Sequence, residues 1–571
     1  MPAIAVKKWS VAAPDTAKVK NLCDELGVSE LIARLLCNRG IDNVESAHKF
    51  LNPAVDRLHD PFLMADMRPA VERILRAIAQ KERILIYGDY DVDGTTATVI
   101  LKKALELIGA SVDYYIPLRL KEGYGMHEVA IERARDDGYS LVISVDTGIR
   151  AHKVVEVATA IGVDVIITDH HLPEEGLPKA VAVLNPQRPD CGYPEKCLAG
   201  VGVAFKLVQA LLQSVDYPNR DRIVHSFLKI VAIGTIADVV PLVGENRIIA
   251  RFGLDGLLKP ANRGLAALLD VVGLKDKRKI VSSDVGFRIG PRINAVGRMA
   301  GASAAVDLFS AATDMEAIQI AEQLNNQNSE RQQVEAAIID QIMQLIELEP
   351  HHAEGRIAVL AGEGWHRGVI GIAASKVVER INRPTLIISI ENGIGHGSGR
   401  SIKAFHLLDG LTACDELFEK YGGHSHAAGV TIKAERINEL RQRLNQYAET
   451  KLTDEDLIPV VDVDAMLSVN DVTIDLINEL ARLEPFGAGN PEPVFATNKA
   501  VVAGDPRVLK EKHLKFRLMD NGRPVDCLWW SAGPASEHIF AGDQIQVAYT
   551  VSENIFNGRT NPQMTVVDLK Y

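Results

Sequence analysis

The sequence predicts an α/β protein in which a parallel-sheet domain is followed by a long helix, a second α/β domain and a small closed β-barrel. Three observations predict this order. From residue 83, short apolar runs alternate with helical patterns, as in parallel sheets covered by helices. Residues 314–349 keep helical apolar spacing without Gly or Pro. From about residue 490, short strand patterns are separated by polar turns.

The 571 residues are enough for three or four domains. The β-rich runs of the first sheet lie at 83–88, 111–117, 141–146, 164–169 and 180–185. We place the domains where the pattern changes: an N-terminal helical extension (1–70), a parallel-sheet domain (71–312), a connecting helix (313–350), a second α/β domain (351–455) and the β-barrel with its linker (456–571).

The composition, 47% hydrophobic and 24% charged, is typical of a globular protein. No apolar run reaches the roughly 18–20 residues that span a bilayer, and the first residues lack a signal peptide's apolar core. We therefore expect a cytoplasmic protein with no membrane partner.

The six scattered cysteines predict reduced thiols, and Cys191 and Cys197 have no second Cys/His pair nearby. A net charge of −12 argues against a nucleic-acid partner unless basic side chains cluster locally.

Acidic and histidine residues occur in four segments that we expect at strand ends. They are Asp89, Asp91 and Asp93 in the first, Asp146 in the second, Asp169, His170 and His171 in the third, and Asp238 in the fourth. In an extended chain, residues two apart point the same way, so the first three carboxylates are expected to face one point. Open α/β sheets bind ligands at the carboxyl ends of their strands, which predicts one shared site.

Clustered carboxylates stay ionised only beside compensating positive charge. Carboxylates mixed with imidazole suit Mn²⁺, and Mg²⁺ where oxygen dominates, and enough ligands are present for two ions. Each of these motifs, taken alone, has a simpler explanation. A lone Asp after a strand is often a helix N-cap, adjacent histidines are often structural, and "DYDVDG" resembles a calcium-loop start without the required Glu. Their occurrence together in one α/β unit favours the metal site.

The motifs resemble a known family. Four of them, in order, resemble the DHH phosphoesterase superfamily: "DYDVDG", "SVDTG", "TDHH" and "TIADVVPL". Four later ones are similar to its associated DHHA1 domain: "GPRINAVGRMAGA", "GWHRGVIGIAASKVVER", "GSGRS" and "YGGHSHAAG". With a C-terminal barrel of the OB type, the chain resembles, from about residue 70 onward, the bacterial branch that degrades single-stranded DNA 5′→3′. The resemblance implies hydrolysis to 5′-mononucleotides with two divalent cations, Mn²⁺ or Mg²⁺, in DNA repair and recombination.

The resemblance also implies the residues of the site. Six are implied as metal ligands: Asp89, Asp91, Asp93, Asp146, His170 and Asp238. The implied catalytic set is Asp91, Asp93, Asp146, His170, His171 and Asp238. Whether Asp89 and His171 contact the cations or orient other ligands stays open. Asp169 is expected to brace the turn that carries both histidines.

Substrate contacts are expected in the second α/β domain and near the sheet. The implied residues are Arg119, Arg298, Trp365, His366, Arg367, Ser398, Arg400 and His424. In "GIGHGSGRS", glycines let backbone N–H groups approach a phosphate and Arg400 matches its oxygens, so Ser398 and Arg400 are implied to hold a terminal 5′-phosphate. A Gly-rich tight turn with a surface Arg is the alternative for this stretch. For the histidines, the alternative is hydrogen bonding within the domain.

In the C-terminal barrel, basic residues lie beside an aromatic ring, as in single-strand-binding folds. The candidate contacts are Lys510, Lys512, Lys515, Phe516 and Arg517. Trp529 and Trp530 are adjacent on a predicted strand, so their side chains point to opposite faces and at least one is expected in the core.

The resemblance implies single-stranded DNA with a 5′ end as the partner, and a single-strand-binding protein and a helicase as further ones; we expect a monomer. Two other functions remain open. One is a DHH phosphoesterase acting on short oligoribonucleotides, cyclic dinucleotides or polyphosphate, and the other is an inactive scaffold that binds DNA or replication proteins.

Overall fold

The computed structural model describes residues 7–118, 122–123, 125–299, 303–520, 522–556 and 558–571. The chain forms two compact units: Asn325–Val460 with the segment that ends at Lys8 is one, and Trp9–Leu324 together with Val461–Tyr571 is the other. The domain boundaries placed from the sequence stay a prediction. Among the described residues, every helix is too short or too polar to span a bilayer. All six cysteines are free thiols.

The N-terminal segment is mainly helical, as predicted. Its elements are β1 (Lys8–Val11), α1 (Thr16–Leu26), α2 (Glu30–Asn38), α3 (Val44–Leu51) and α4 (Met67–Ala79). The side chains of Asp15, Ser29 and Asn43 accept hydrogen bonds from first-turn N–H groups of α1, α2 and α3, which is why these helices begin there.

A five-stranded parallel sheet forms the centre of the larger unit. Its strands are β2 (Arg83–Gly88), β3 (Ser111–Tyr115), β4 (Tyr139–Val145), β5 (Asp164–Thr168) and β6 (Ala182–Leu184), in the spatial order β3-β2-β4-β5-β6. Alternate residues of β2 enter two separate cores: Ile84 and Ile86 one, Leu85 and Tyr87 the other. The sheet is therefore buried on both faces, as its continuous apolar runs predict.

Helices cover both faces of this sheet. The helices of this part of the chain, some of which pack on other helices, are α5 (Val92–Leu107), α6 (Glu128–Asp136), α7 (His152–Ala160), α8 (Gly200–Ser214), α9 (Arg220–Ala237), α10 (Gly244–Leu257), α11 (Arg263–Val271), α12 (Ser282–Asp284), α13 (Gly290–Met299) and α14 (Ser303–Ser310). From β2 the chain passes to β3 on one side, and β4 lies on the other side of β2. This reversal of strand order opens a crevice at the carboxyl ends of β2 and β4.

The long helix expected after the sheet is confirmed as α15 (Asp314–Leu348), which has 35 residues. The boundary between the two compact units falls within it, after Leu324.

The smaller unit is a second α/β structure. Its elements are β7 (Ala358–Glu363), α16 (Ile370–Ile381), β8 (Thr385–Glu391), β9 (Ile394–Arg400), α17 (Leu407–Thr412), β10 (Phe418–Gly423), β11 (Ala427–Lys433) and α18 (Ile437–Glu449). The strand order is β10-β11-β9-β8-β7, with β7 and β8 parallel and the other pairs antiparallel.

The C-terminal region closes into a ring of strands. Its elements are β12 (Val460–Val463), β13 (Ala465–Met466), α19 (Ile474–Leu480), β14 (Phe495–Ala496), β15 (Ala500–Val502), β16 (Arg507–Leu509), β17 (His513–Met519), β18 (Val525–Trp529), β19 (Gln544–Phe556) and β20 (Arg559–Lys570). Hydrogen bonds connect β15, β17, β18, β20 and β19 in turn, and β19 returns to β15. The closed OB-type sheet expected from the sequence is thus confirmed.

Arg247 of α10 ties this ring and the N-terminal helices to the parallel-sheet domain. It is 2% exposed, and its guanidinium donates to the carbonyls of Phe50, Leu483 and Glu484. The guanidinium carbon also lies 3.6 Å from the centroid of the Phe50 ring. Because a buried cation is tolerated only when its donors are paired, these bonds hold three chain segments in one unit.

Candidate metal centre

The register of the parallel sheet brings three acidic residues into one row. Gly88 pairs with Val145, and Val145 pairs with Thr168, so Asp89, Asp146 and Asp169 follow three adjacent strands at the same level. All three are buried. Asp146 has a positive φ of 61°, a conformation that residues with side chains seldom adopt and that often occurs at functional sites.

The first acidic segment reaches the crevice differently from the prediction. We expected an extended chain from Asp89 to Asp93, but only Asp89 directly follows the strand. Asp91 is the N-cap of α5, where its Oδ1 accepts from the Gly94 N–H at 3.0 Å, and Asp93 lies in the first helical turn. A Cβ on Gly94 would lie 2.7 Å from the backbone of Asp89, so glycine permits this tight strand-to-helix turn.

Asp93 is held by the N-terminus of α8. Its Oδ2 accepts from the N–H of Gly200 at 2.6 Å, and its Oδ1 accepts from the N–H of Val201 at 2.7 Å. The positive end of the helix dipole therefore faces this carboxylate. Burial first, and then the charge of Asp91, nevertheless raise the pKa of Asp93 to about 7.

Asp238 was expected at the end of a strand, and that expectation is wrong. It is the C-cap of α9, and its N–H donates to the carbonyl of Gly234. Gly234 lies against α5, because a Cβ there would be 2.3 Å from Thr96 Oγ1 and 3.2 Å from Asp93 Oδ1. Close packing of α9 on α5, one turn before Asp238, thus brings its carboxylate to the centre.

The two histidines follow β5 and have different surroundings. His170 is nearly buried, and its Nε2 lies 3.2 Å from Asp146 Oδ1, 3.6 Å from Asp238 Oδ2 and 3.8 Å from Asp93 Oδ2. His171 instead has its Nδ1 2.7 Å from Asp169 Oδ1.

Asp169 braces the turn, as the sequence predicts. Its Oδ1 accepts from the backbone N–H of both His170 and His171, and its Oδ2 accepts from the N–H of Ile149. Burial alone would raise the pKa of Asp169, but the hydrogen bond and charge of His171 hold it below the usual value.

The candidate ligands form two adjoining groups. In the first, Asp89, Asp91 and Asp146 each offer an oxygen within 4.8 Å of the others. In the second, Asp93, His170 and Asp238 each offer a ligand atom within 4.8 Å of the other two. The 3.2 Å approach of Asp146 to His170 connects the groups. All six ligands that the resemblance implies are therefore brought together, and His171 lies within the same limit of Asp146 and His170.

The electrostatics fit a site for cations. Asp146 Oδ1 is buried and has no hydrogen-bond partner among the described residues. Burial and the charges of neighbouring aspartates, Asp93 first, raise the pKa of Asp146 well above its usual value, and burial with Asp93 and Asp91 raises that of Asp238 to about 9. Burial lowers the pKa of His170 to about 4, so its ring is neutral. A divalent cation would remove the repulsion and use the unpaired oxygen.

Sequence reasoning missed the donors that hold Asp93. Gly200 and Val201 begin α8, and the only signal was the run "AGVG" of small residues directly before an apolar helical pattern. Such a run at a helix start indicates accessible N–H groups, but it does not indicate which carboxylate they meet.

In the smaller unit, "GIGHGSGRS" is not the Gly-rich tight turn that was the alternative for this stretch. Residues 394–400 form β9, whose backbone pairs with β8 and β11 along its length. Backbone N–H groups are therefore engaged in the sheet. The three intervening glycines face the core, while His396, Ser398 and Arg400 share the other face. Arg400 Nη1 lies 3.2 Å from Ser398 Oγ, which places both proposed phosphate ligands together.

The structure also describes the other predicted contacts of this unit, of which Arg367 lies beside the same strand. Arg367 Nη2 lies 3.1 Å from His396 Nδ1, and His366 Nδ1 accepts from the Gly368 N–H. His424 lies in the β10–β11 turn; burial first, then the charges of His426 and Arg400 among others, lower its pKa.

Trp365 does not fit a contact role. It is 5% exposed, packs in the core against α15 and α16, and donates its indole N–H to Gln341 Oε1, so its ring is not available to a base. Arg119 lies outside the described residues, and of Arg298 only the backbone, in α13, is described.

In the C-terminal ring, Phe516 is 3% exposed and lies in the core, so its predicted role in stacking is wrong. Residues alternate along β17, and Lys515 and Arg517 are on the outer face; Lys515 pairs with Asp526 at 2.8 Å. Lys510 and Lys512 are exposed in the turn before β17.

The two tryptophans behave as predicted. Trp529 packs against the core, while Trp530 is exposed beside the ring of His513, with centroids 4.7 Å apart.

Three family models match the chain. Residues 83–235 match the DHH family N-terminal domain, residues 354–450 the DHHA1 domain, and residues 463–568 the RecJ OB domain.

The chain is also similar to known proteins over nearly its full length. It is 41% identical to the single-stranded-DNA-specific exonuclease RecJ of Bacillus subtilis, over 98% of this chain and 70% of the relative. Two crystal structures of RecJ from Thermus thermophilus resemble the fold. The complex with Mn²⁺ has a TM-score of 0.83 and 31% identity, over 99% of this chain and 79% of that chain. The complex with Mg²⁺ has a TM-score of 0.78 and 30% identity, over 99% of this chain and 78% of that chain. The chain belongs to the RecJ family of DHH phosphoesterases.

Proposed function

We propose that this protein is a single-stranded-DNA-specific exonuclease that hydrolyses phosphodiester bonds with two divalent cations, Mn²⁺ or Mg²⁺. The observation that carries the proposal is the pair of ligand groups that adjoin at Asp146, whose buried Oδ1 accepts no hydrogen bond from the described residues. Family membership supports the substrate class, since the Bacillus subtilis relative is a single-stranded-DNA-specific exonuclease.

In this proposal, Asp89, Asp91 and Asp146 hold one cation, while Asp93, His170 and Asp238 hold the other. Bound divalent cations supply Lewis-acid stabilisation of the phosphate charge and favour a nucleophilic water. The protein fixes the ligands in advance. The neutral ring of His170 keeps a lone pair available, and Asp169 sets the orientation of His171.

We further propose 5′→3′ polarity with release of 5′-mononucleotides. Ser398 and Arg400 on β9 are the proposed ligands of a terminal 5′-phosphate. Their hydroxyl and guanidinium groups are adjacent, and an Arg fork matches two phosphate oxygens. Lys510, Lys512 and Arg517 are proposed to contact the DNA backbone, with Trp530 in place of Phe516 as the exposed aromatic ring.

The proposed cellular setting is DNA repair and recombination in the cytoplasm. Single-stranded DNA with a 5′ end is the proposed partner. A single-strand-binding protein and a helicase are proposed as further partners of a monomeric enzyme.

The direct test is digestion of long single-stranded DNA that is labelled at its 5′ or its 3′ end. With Mn²⁺ or Mg²⁺, 5′-labelled DNA is expected to release labelled mononucleotide from the start, and 3′-labelled DNA to shorten gradually; a chelator stops both. Release of the 3′ label first would contradict the polarity. Preference for di- and trinucleotides over long DNA would favour a different DHH phosphoesterase.

In the same assay, Arg400→Ala is expected to reduce the preference for 5′-phosphorylated over 5′-hydroxyl ends by about 10- to 100-fold. This is the change expected when one hydrogen-bonding group that carries a charge is removed. Arg380→Ala is the matched control, because Arg380 is an exposed arginine in the last turn of α16. An unchanged preference in Arg400→Ala would remove Arg400 from the proposed phosphate site.

A further inference from the structure

A second cluster of potential metal ligands lies where α15 ends. Glu349 directly follows this helix, and Pro350–His352 form a single 3₁₀ turn after it. Backbone hydrogen bonds fix this corner: the Glu349 N–H donates to the Leu345 carbonyl, and the His352 N–H donates to the Glu349 carbonyl. Pro350 restricts the first position of the turn. The three side chains thus start from a rigid backbone.

We propose that Glu349, His351 and His352 form a zinc-binding site that is separate from the aspartate-rich centre. One ligand atom from each lies within 4.8 Å of the other two. Glu349 Oε2 is 3.4 Å from His352 Nε2 and 3.9 Å from His351 Nε2. Ligands of tetrahedral Zn²⁺, at about 2.0–2.1 Å from the ion, are separated by roughly 3.3 Å. Small side-chain rotations therefore suffice to complete the geometry.

The side chains differ in exposure in a way that suits an open site. His352 is 13% exposed, whereas Glu349 is 52% and His351 64% exposed. The buried ring fixes one ligand, and the exposed pair allows an ion to enter and a water to take the fourth position. His352 Nδ1 is buried without a hydrogen-bond partner among the described residues, and its Nε2 is the nitrogen that faces Glu349.

The donor set selects a different ion from the main centre. Two imidazoles and one carboxylate suit Zn²⁺, whereas a site with mainly carboxylate ligands suits Mn²⁺ or Mg²⁺. The charge of Arg441 acts on both His352 and Glu349 and opposes a cation. Its guanidinium, however, donates to the Val359 carbonyl and to Asn438 Oδ1, and Glu349 supplies a compensating negative charge.

A bound zinc ion would link Glu349, which follows α15, to His351 and His352 in the turn before β7. The expected consequence is a stiffer connection at this point, with no part in the hydrolysis itself. Removal of the site should therefore leave DNA hydrolysis with Mg²⁺ unchanged, which separates this proposal from the proposed function.

The test measures Zn²⁺ binding to the full-length protein in excess Mg²⁺, by competition with a chromophoric chelator. His351→Ala and Glu349→Gln are each expected to lose one zinc equivalent, or to bind it at least about tenfold more weakly. Both positions are half exposed or more, so folding should be unaffected. Co²⁺ substituted for Zn²⁺ should give the intense visible absorption of a tetrahedral site in the wild type, and these variants should lose it.

His225→Ala is the matched control, because His225 is an exposed histidine on α9. Equal stoichiometry and affinity in the wild type, His351→Ala and Glu349→Gln would overturn the proposal. So would an equal loss in His225→Ala, since that would indicate unspecific binding to surface histidines.

Discussion

Asp146→Asn is expected to reduce DNA hydrolysis by at least about 100-fold while the protein remains folded. Changes to groups that only orient a metal ligand already cost roughly 10–100-fold. Asp146 is a ligand of the first group, and its Oδ1 lies 3.2 Å from His170 Nε2 of the second. The amide has the size of the carboxylate but carries no charge. Steady-state rates on long single-stranded DNA with Mn²⁺ measure the effect.

The same substitution should have the opposite effect on the metal-free protein. Asp146 is buried among other carboxylates that raise its pKa, so a neutral amide removes repulsion. The thermal midpoint in chelator is therefore expected to rise in Asp146→Asn, and the increase produced by Mn²⁺ to shrink.

Asp136→Asn, which changes an exposed aspartate of α6, serves as the control and should alter neither quantity. If Asp146→Asn kept wild-type turnover, Asp146 would have no role in catalysis. If it lowered the metal-free midpoint, the electrostatic account of the centre would fail.

Removal of divalent cations is expected to abolish hydrolysis and to make stability fall as pH rises from about 6.5 to 9. The pKa of Asp93 is raised to about 7 and that of Asp238 to about 9. Between their usual pKa of 3.8 and these values, the folded state binds more protons than the unfolded state. The stability that these groups contribute is therefore present at low pH and is lost as pH rises through the folded pKa values.

His170 acts in the other direction but in a different range. Its pKa is lowered to about 4 from 6.5, so it increases stability with pH only between those values. Above pH 6.5 the dependence of stability on pH is therefore set by Asp93 and Asp238. Bound Mn²⁺ keeps the carboxylates ionised, which should make the profile much flatter.

Thermal unfolding from pH 6.5 to 9, with chelator and with Mn²⁺, measures this difference. Parallel profiles would show that the carboxylates are not where the cations bind. The Asp136→Asn protein should reproduce both wild-type profiles.

The parallel sheet was predictable because β2 to β6 are apolar runs between helical patterns, and parallel strands bring the residues after their carboxyl ends to one edge. That rule located Asp89, Asp146 and His170. It did not locate Asp238, whose position depends on how closely α9 packs on α5 at Gly234. Helix-to-helix distances of this kind are set by tertiary packing, which periodicity does not report.

Two other errors have different causes. Phe516 was recognisable as core, because "LKFRL" alternates apolar and basic residues and places the ring with the leucines. The strand β9 was not predicted because every second residue in it is glycine, and glycine is depleted in strands and common in turns. Only the pairing with β8 and β11 shows that these glycines let the core approach while Ser398 and Arg400 face away from it.

The most direct measurement is the number and coupling of Mn²⁺ ions bound by the protein, obtained by titration with electron paramagnetic resonance. Two equivalents per chain with the spectrum of a magnetically coupled pair are predicted for the wild type, and Asp146→Asn should lose the coupling. A single uncoupled ion in the wild type, or an unchanged pair in Asp146→Asn, would contradict a centre built from two ligand groups that meet at Asp146.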